Sequence, residues 1–263
     1  MIKMFRSSLV LFFALLLAGL AIAVAIYYSN FNVRFWPLYF CFLIWLVISG
    51  LIAQIYTRKK LNKIVDLLLV ECNPQKCLAV ASKLLDRNCD VQGKANIRLN
   101  LSTIYMGTGN TEMAKKMLDQ VNVNNNNKHT VRYKSVYYNN LASYYITTHD
   151  SKSAREALEK MSLALKEPKV PPLLRESGFH LYNSKTLLCN MEEGNYEGCE
   201  QTFSVMLDKA KNNYEKSMCQ LTLGKIFINN GKIDKAKMAL QYVIDNGNTL
   251  YAVEEAKQLL IKI

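Results

Sequence analysis

The first 63 of the 263 residues contain no aspartate or glutamate, yet they hold seven of the 33 Lys and Arg (Lys3, Arg6, Arg34, Arg58, Lys59, Lys60 and Lys63). More than half of the formal +12 charge is thus gathered around N-terminal apolar stretches rather than along a phosphate-tracking face, and no nucleic-acid partner is expected. The chain also lacks paired cysteines. Its seven (Cys41, Cys72, Cys77, Cys89, Cys189, Cys199 and Cys219) are odd in number and contain no C-x-x-C, which argues against both a zinc ribbon and a disulfide framework. Most fall inside helical patterns, where a reduced thiol serves as a small apolar side chain. His129, His149 and His180 show no H-x-x-x-H or H-E-x-x-H spacing, and no P-loop, G-x-G-x-x-G or G-x-S-x-G occurs. Glu192 and Glu193 lie in a polar EEGN stretch and read as solvated neighbours, not as a catalytic pair. The expectation is a chain that is not an enzyme and takes no metal and no cofactor.

What the N-terminal region does have is long apolar runs. Residues 7–33 carry no charge, and the core from Leu9 to Tyr28 would extend about 30 Å as a helix, enough to cross a bilayer. Residues 35–57 form a second such run. Tyr27, Tyr28, Phe31, Phe35 and Trp36 flank the link between them like an interfacial aromatic belt, and Pro37 suits the first turn of the second helix. Residues 1–57 are therefore read as a transmembrane hairpin with helices at about 7–28 and 36–57. Ala14, Ala18, Ala21 and Ala25 on one helix, and Ser49, Gly50 and Ala53 on the other, permit close packing. Six of the seven basic residues lie outside the hairpin's ends and only Arg34 in the link. The positive-inside bias then places both termini, and residues 58–263, in the cytoplasm of an integral plasma-membrane protein. A cleaved signal peptide is the competing reading, since Lys3 and Arg6 precede an apolar run ending in Ala23-Val24-Ala25; the run is longer than a typical signal core.

Beyond residue 63, amphipathic helical patterns come in pairs and repeat. Leu101, Ser102, Tyr105, Gly109, Ala114, Leu118 and Val121 recur at the same spacing as Leu223, Gly224, Phe227, Gly231, Ala236, Leu240 and Val243. Leu141, Ala142, Tyr145, Ala154, Leu158 and Met161 fit the template with His149 in place of the turn glycine. Leu187, Gly194, Cys199, Phe203 and Met206 make a looser copy, and a weaker one spans residues 64–84. The pattern resembles the tetratricopeptide repeat family, although the first-helix Trp and terminal Pro are missing. Turn positions 109, 149, 194 and 231 are 40, 45 and 37 apart, longer than the family's usual unit of about 34; residues 122–128 and 166–175 are read as the solvated linkers that hold the excess. The expected fold is all-α: a two-helix transmembrane hairpin, then a solenoid of about four to five helix pairs, with residues 249–262 as a capping helix. Because no Gly or Pro lies between Thr57 and Glu71, the second membrane helix is expected to run on into the repeats.

The resemblance implies that the exposed face of each first helix lines a concave groove. On that implication Asn100, Thr103, Asn139, Asn140, Ser143, Asn183, Lys185, Lys225 and Asn229 face a bound partner, the asparagine amides both donating to and accepting from an extended peptide. Leu99 and Thr103 stand where two members of the family's carboxylate clamp would be, so that ligand is not expected. The expected function is a membrane-anchored scaffold for cytoplasmic proteins or peptides; the alternative is a sensor whose solenoid changes curvature when a peptide binds.

Overall fold

A computed structural model describes residues 6–29, 35–84, 91–123 and 130–263; part of the 122–128 linker falls outside them, as do Phe31, Arg34, Cys89 and His129. The chain divides into two compact units, residues 1–65 and 66–263. All regular structure among the described residues is helical.

In the first unit, α1 (Arg6–Ser29) and α2 (Phe35–Leu69) contain 21- and 18-residue stretches long and apolar enough to cross a membrane. Trp45 binds the two together: its ring fills the space beside Gly19, where a Cβ would lie 2.2 Å away, and its Nε1 donates to Leu15 O at 2.8 Å. Most other side chains point outward, Val10, Leu17 and Ile44 each being more than 60% exposed. As expected from the uninterrupted sequence, α2 continues well past Thr57 as one helix.

The second unit is a solenoid. After α3 (Pro74–Ala81) and a 3-10 turn come four pairs: α4 (Val91–Gly107) with α5 (Thr111–Asp119), α6 (Thr130–Thr147) with α7 (Ser151–Lys166), α8 (Pro172–Glu192) with α9 (Cys199–Lys209), and α10 (Asn213–Asn229) with α11 (Ile233–Asn246). A final helix, α12 (Tyr251–Ile261), packs on α11 and α10. All four intra-pair turns are built alike. Gly109, His149, Gly194 and Gly231 adopt φ of 78°, 57°, 84° and 69°, the left-handed conformation that glycine enters freely. The residue after each donates its N–H five residues back, from Asn110 to Tyr105 O, Asp150 to Tyr145 O, Asn195 to Asn190 O and Lys232 to Phe227 O, closing the helix end. In the first two pairs that same residue also starts the next helix, Asn110 Oδ1 accepting from Met113 N and Asp150 Oδ1 from Ser153 N.

The repeated apolar positions are the core. Five residues beyond each turn residue, Ala114, Ala154, Cys199 and Ala236 are completely buried; nine beyond, Leu118, Leu158, Phe203 and Leu240 are nearly so. The small side chain lets the paired helix approach, and the larger one fills the gap to the next pair. The third pair departs from this. Leu187 stands where the others have Ser102, Ala142 and Gly224, so α8 and α9 touch little and α9 packs mainly on α10. In α8 the close approach moves to Gly178, against Leu165 of α7. The linker expected at residues 166–175 is shorter than its composition implies: Pro172 opens α8, Val170 is buried, and Arg175 donates to the carbonyls of Leu165, Glu167 and Val170.

Candidate functional site

The nine polar residues expected on the first-helix faces separate into three groups. Thr103, Asn139, Asn140 and Ser143 form one hydrogen-bonded network between α4 and α6. Asn140, only 7% exposed, directs Nδ2 at Leu99 O (3.0 Å), Ser102 Oγ (3.0 Å) and Thr103 Oγ1 (3.1 Å), while its Oδ1 accepts from Asn139 Nδ2. Ser143 donates to Asn139 O, and Thr103 to Leu99 O. The Asn140 amide is therefore consumed in spacing neighbouring pairs. Asn139 Oδ1 is buried and accepts no hydrogen bond from the described residues.

Lys225 makes the second group, its Nζ lying 2.5 Å from Glu255 of α12. The third group is unengaged or nearly so. Asn100 and Asn183 are exposed, Asn229 reaches only its neighbour Asn230 at 3.4 Å, and Lys185 has no ion pair among the described residues. Lys185 is partly exposed yet crowded by protein. That desolvation draws its ammonium down to about 8, against a small opposing influence from Cys189.

Counting back from the turns, Val136, Leu181 and Met218 occupy one register position, thirteen residues before His149, Gly194 and Gly231, and all three are exposed. The first pair breaks the series, with exposed Asn96 at the matching place before Gly109. The three apolar residues lie four positions before Asn140, Lys185 and Thr222, so a short apolar row runs beside a polar one across the first helices of the last three pairs. This row is readable from the turn spacing, although function-directed reading of polar side chains alone passes over it.

Other polar contacts tie successive pairs together. Arg155 holds Glu193 and Asn190, His149 Nδ1 meets Glu192 Oε2 at 2.5 Å, and Lys232 holds Glu200, while Lys134 and Glu167 meet within the second pair, from α6 to the end of α7. The described cysteines of the solenoid are all buried, and burial raises Cys72, Cys77, Cys189 and Cys199, and Cys219 to about 11. They act as small apolar side chains, not as nucleophiles. No group of three or more His, Cys, Asp or Glu able to hold a metal occurs among the described residues.

Stacked helical hairpins with a regular first-helix face, and no assembled nucleophile, base or metal set among the described residues, define a repeat solenoid of the kind built for protein–protein contact. The model of the SusR N-terminal TPR domain matches residues 74–242, more than half of the chain, and the protein belongs to this tetratricopeptide-repeat family. No curated protein matches it, and no solved structure does.

Proposed function

We propose that the protein is a membrane-anchored, non-enzymatic scaffold whose solenoid binds cytoplasmic proteins or peptides, as an adaptor or as a subunit of a membrane complex. The observation that carries this reading is a repeat solenoid of a protein-binding family on the same chain as two helices with outward apolar side chains. So large an exposed apolar surface is unfavourable in water and suits a bilayer. On the first helices, Asn100, Asn183 and Asn229 keep exposed amides that could hold an extended backbone, and Lys185 offers an uncompensated cation beside the apolar row. Thr103, Asn139, Asn140 and Ser143 space the helices that present them.

The groove assignment is tested by affinity capture from solubilised membranes, comparing the full chain with an Asn183→Ala, Lys185→Glu variant. Specific partners should be recovered less well by the variant, and equal recovery of every partner rejects the assignment. Asn140 is left intact because its loss would disturb packing. The basic flank Arg58 to Lys63 supports a cytoplasmic solenoid lying near anionic headgroups. In intact cells a membrane-impermeant maleimide should modify a cysteine placed at Asn32 and spare one at Asn246 until lysis. The opposite pattern would overturn the orientation.

A further inference from the structure

The two ends of the solenoid meet. The segment directly after α2, residues 70–73, is irregular, and three successive carbonyls in it are taken by residues far along the chain. Asn213 Nδ2 donates to Val70 O (2.9 Å), Asn248 Nδ2 to Glu71 O (2.8 Å), and Thr249 N to Cys72 O (3.2 Å). Thr249 Oγ1 adds a bond to Asn73 Oδ1 (3.2 Å). Beside them Leu250 packs near Gly107, and Tyr251 lies against Gly109, where a Cβ would come within 2.5 Å of its ring, so the start of α12 also covers the end of α4.

Two features set this contact apart from the repeat core. Its two side-chain amide-to-carbonyl bonds, from Asn213 and Asn248, lie at exposed positions, whereas the Asn140 amide that spaces the first two pairs is buried. Both sides also turn through left-handed backbone. Cys72 and Asn248, with φ of 51° and 48°, are two of the three non-glycine residues with positive φ among those described, and each takes part in a closing bond. Cys72 is held there by the end of α2 itself, Asn73 N donating to Leu67 O at 2.8 Å, and Asn248 follows the end of α11, where asparagine enters this conformation readily, so the closure joins two helix ends.

We infer that residues 70–73 are a latch. Held by Asn213, Asn248 and Thr249 the solenoid is closed end to end; released, its first and last pairs separate. Because the latch directly follows α2, a displacement of that helix acts first on these bonds. An extended peptide from another protein, presenting carbonyls in the same way, would compete with residues 70–73 for Asn213, Asn248 and Thr249. The latch does not depend on the groove assignment, since none of the nine groove residues takes part in it.

Hydrogen exchange of the full chain in nanodiscs tests the latch. The variant is Asn213→Ala with Asn248→Gly: Asn212 remains as the α10 cap, and glycine tolerates the left-handed backbone at 248. Losing two hydrogen bonds of modest net strength should speed exchange in residues 71–76 and 249–253 about tenfold, while residues 151–165 change by less than about twofold. Unchanged exchange at the closure means that these side chains hold nothing and overturns the latch. Uniform acceleration means that the contact is ordinary global stabilisation and overturns it equally. Should the double variant fail to fold, Asn213→Ala alone should give the same local pattern at about threefold, read against the same two adverse outcomes.

Discussion

Lys185 illustrates how a single residue ties the solenoid's stability to solution conditions. Crowding by protein lowers its ammonium from 10.5 to about 8. Between those values the unfolded chain binds more protons than the folded one, so stability rises with pH, and the cost of the desolvated charge is present in full below pH 8. Lys185→Met should therefore raise the thermal midpoint at pH 7, an advantage that shrinks as pH climbs from 8 towards 10.5. Thermal melts across that range check it; a pH-independent gain would show that the methionine acts through packing alone. Gly224 is the converse case, a position with no room. A Cβ there would sit 2.7 Å from Leu240 Cδ2, and Leu240 is wholly buried, so Gly224→Val should cost about 1–3 kcal/mol by denaturant unfolding. The sequence shows Gly224 and its counterparts as small residues at a fixed place in the repeat. It does not show that Asn140, equally polar and on the same kind of face as Asn100, is spent inside the fold, because that depends on which carbonyls and hydroxyls of α4 lie opposite.

At the scale of elements, the turn residues make the repeat legible in the sequence: one glycine or histidine, which the structure places in left-handed conformation, then a small residue five positions on, which it buries. What spacing alone did not disclose is the third pair. Leu187 brings a large side chain to the site of close approach, which loosens α8 from α9 and leaves α9 to pack on α10. The short linker before α8 was likewise hidden, since its polar composition gives no sign that Arg175 will gather three carbonyls. Helix starts give a sharper expectation. Asn212 Oδ1 accepts from Glu215 N at 2.9 Å, and Asn212→Ala should lower stability by about 1 kcal/mol while Asn212→Asp should be nearly neutral, measured by urea unfolding. Asp150, which caps α7, adds a pH signature: the Ser153 hydrogen bonds hold its carboxyl below the usual range. Its contribution is present above the ordinary aspartate range and is lost as pH falls through the lowered value.

For the whole molecule, the all-helical class and the succession of pairs followed from periodicity, since each pair repeats one local pattern. End-to-end closure did not, because the residues that make it share no motif and lie 143 to 177 positions apart. α12 matters at both levels: Ala252, Val253 and Ala256 are buried, and the residues just before it make the closing bonds. A chain ending at Asn246 should lose cooperative unfolding and elute as aggregate in size-exclusion chromatography. A monodisperse product with an unchanged melting point would deprive α12 of its capping role.

The same closure sets a schedule for biosynthesis. Most solenoid contacts join neighbours and can form as each hairpin leaves the ribosome. The carbonyl of Glu71 instead waits for the side chain of Asn248, 177 residues later. At translation rates of about 5–20 residues per second the delay is roughly 10–35 s. Throughout that interval the stretch following α2 has been made while its final partners have not, so the nascent chain carries an unfilled edge directly after α2 until Asn248 and Thr249 have been added.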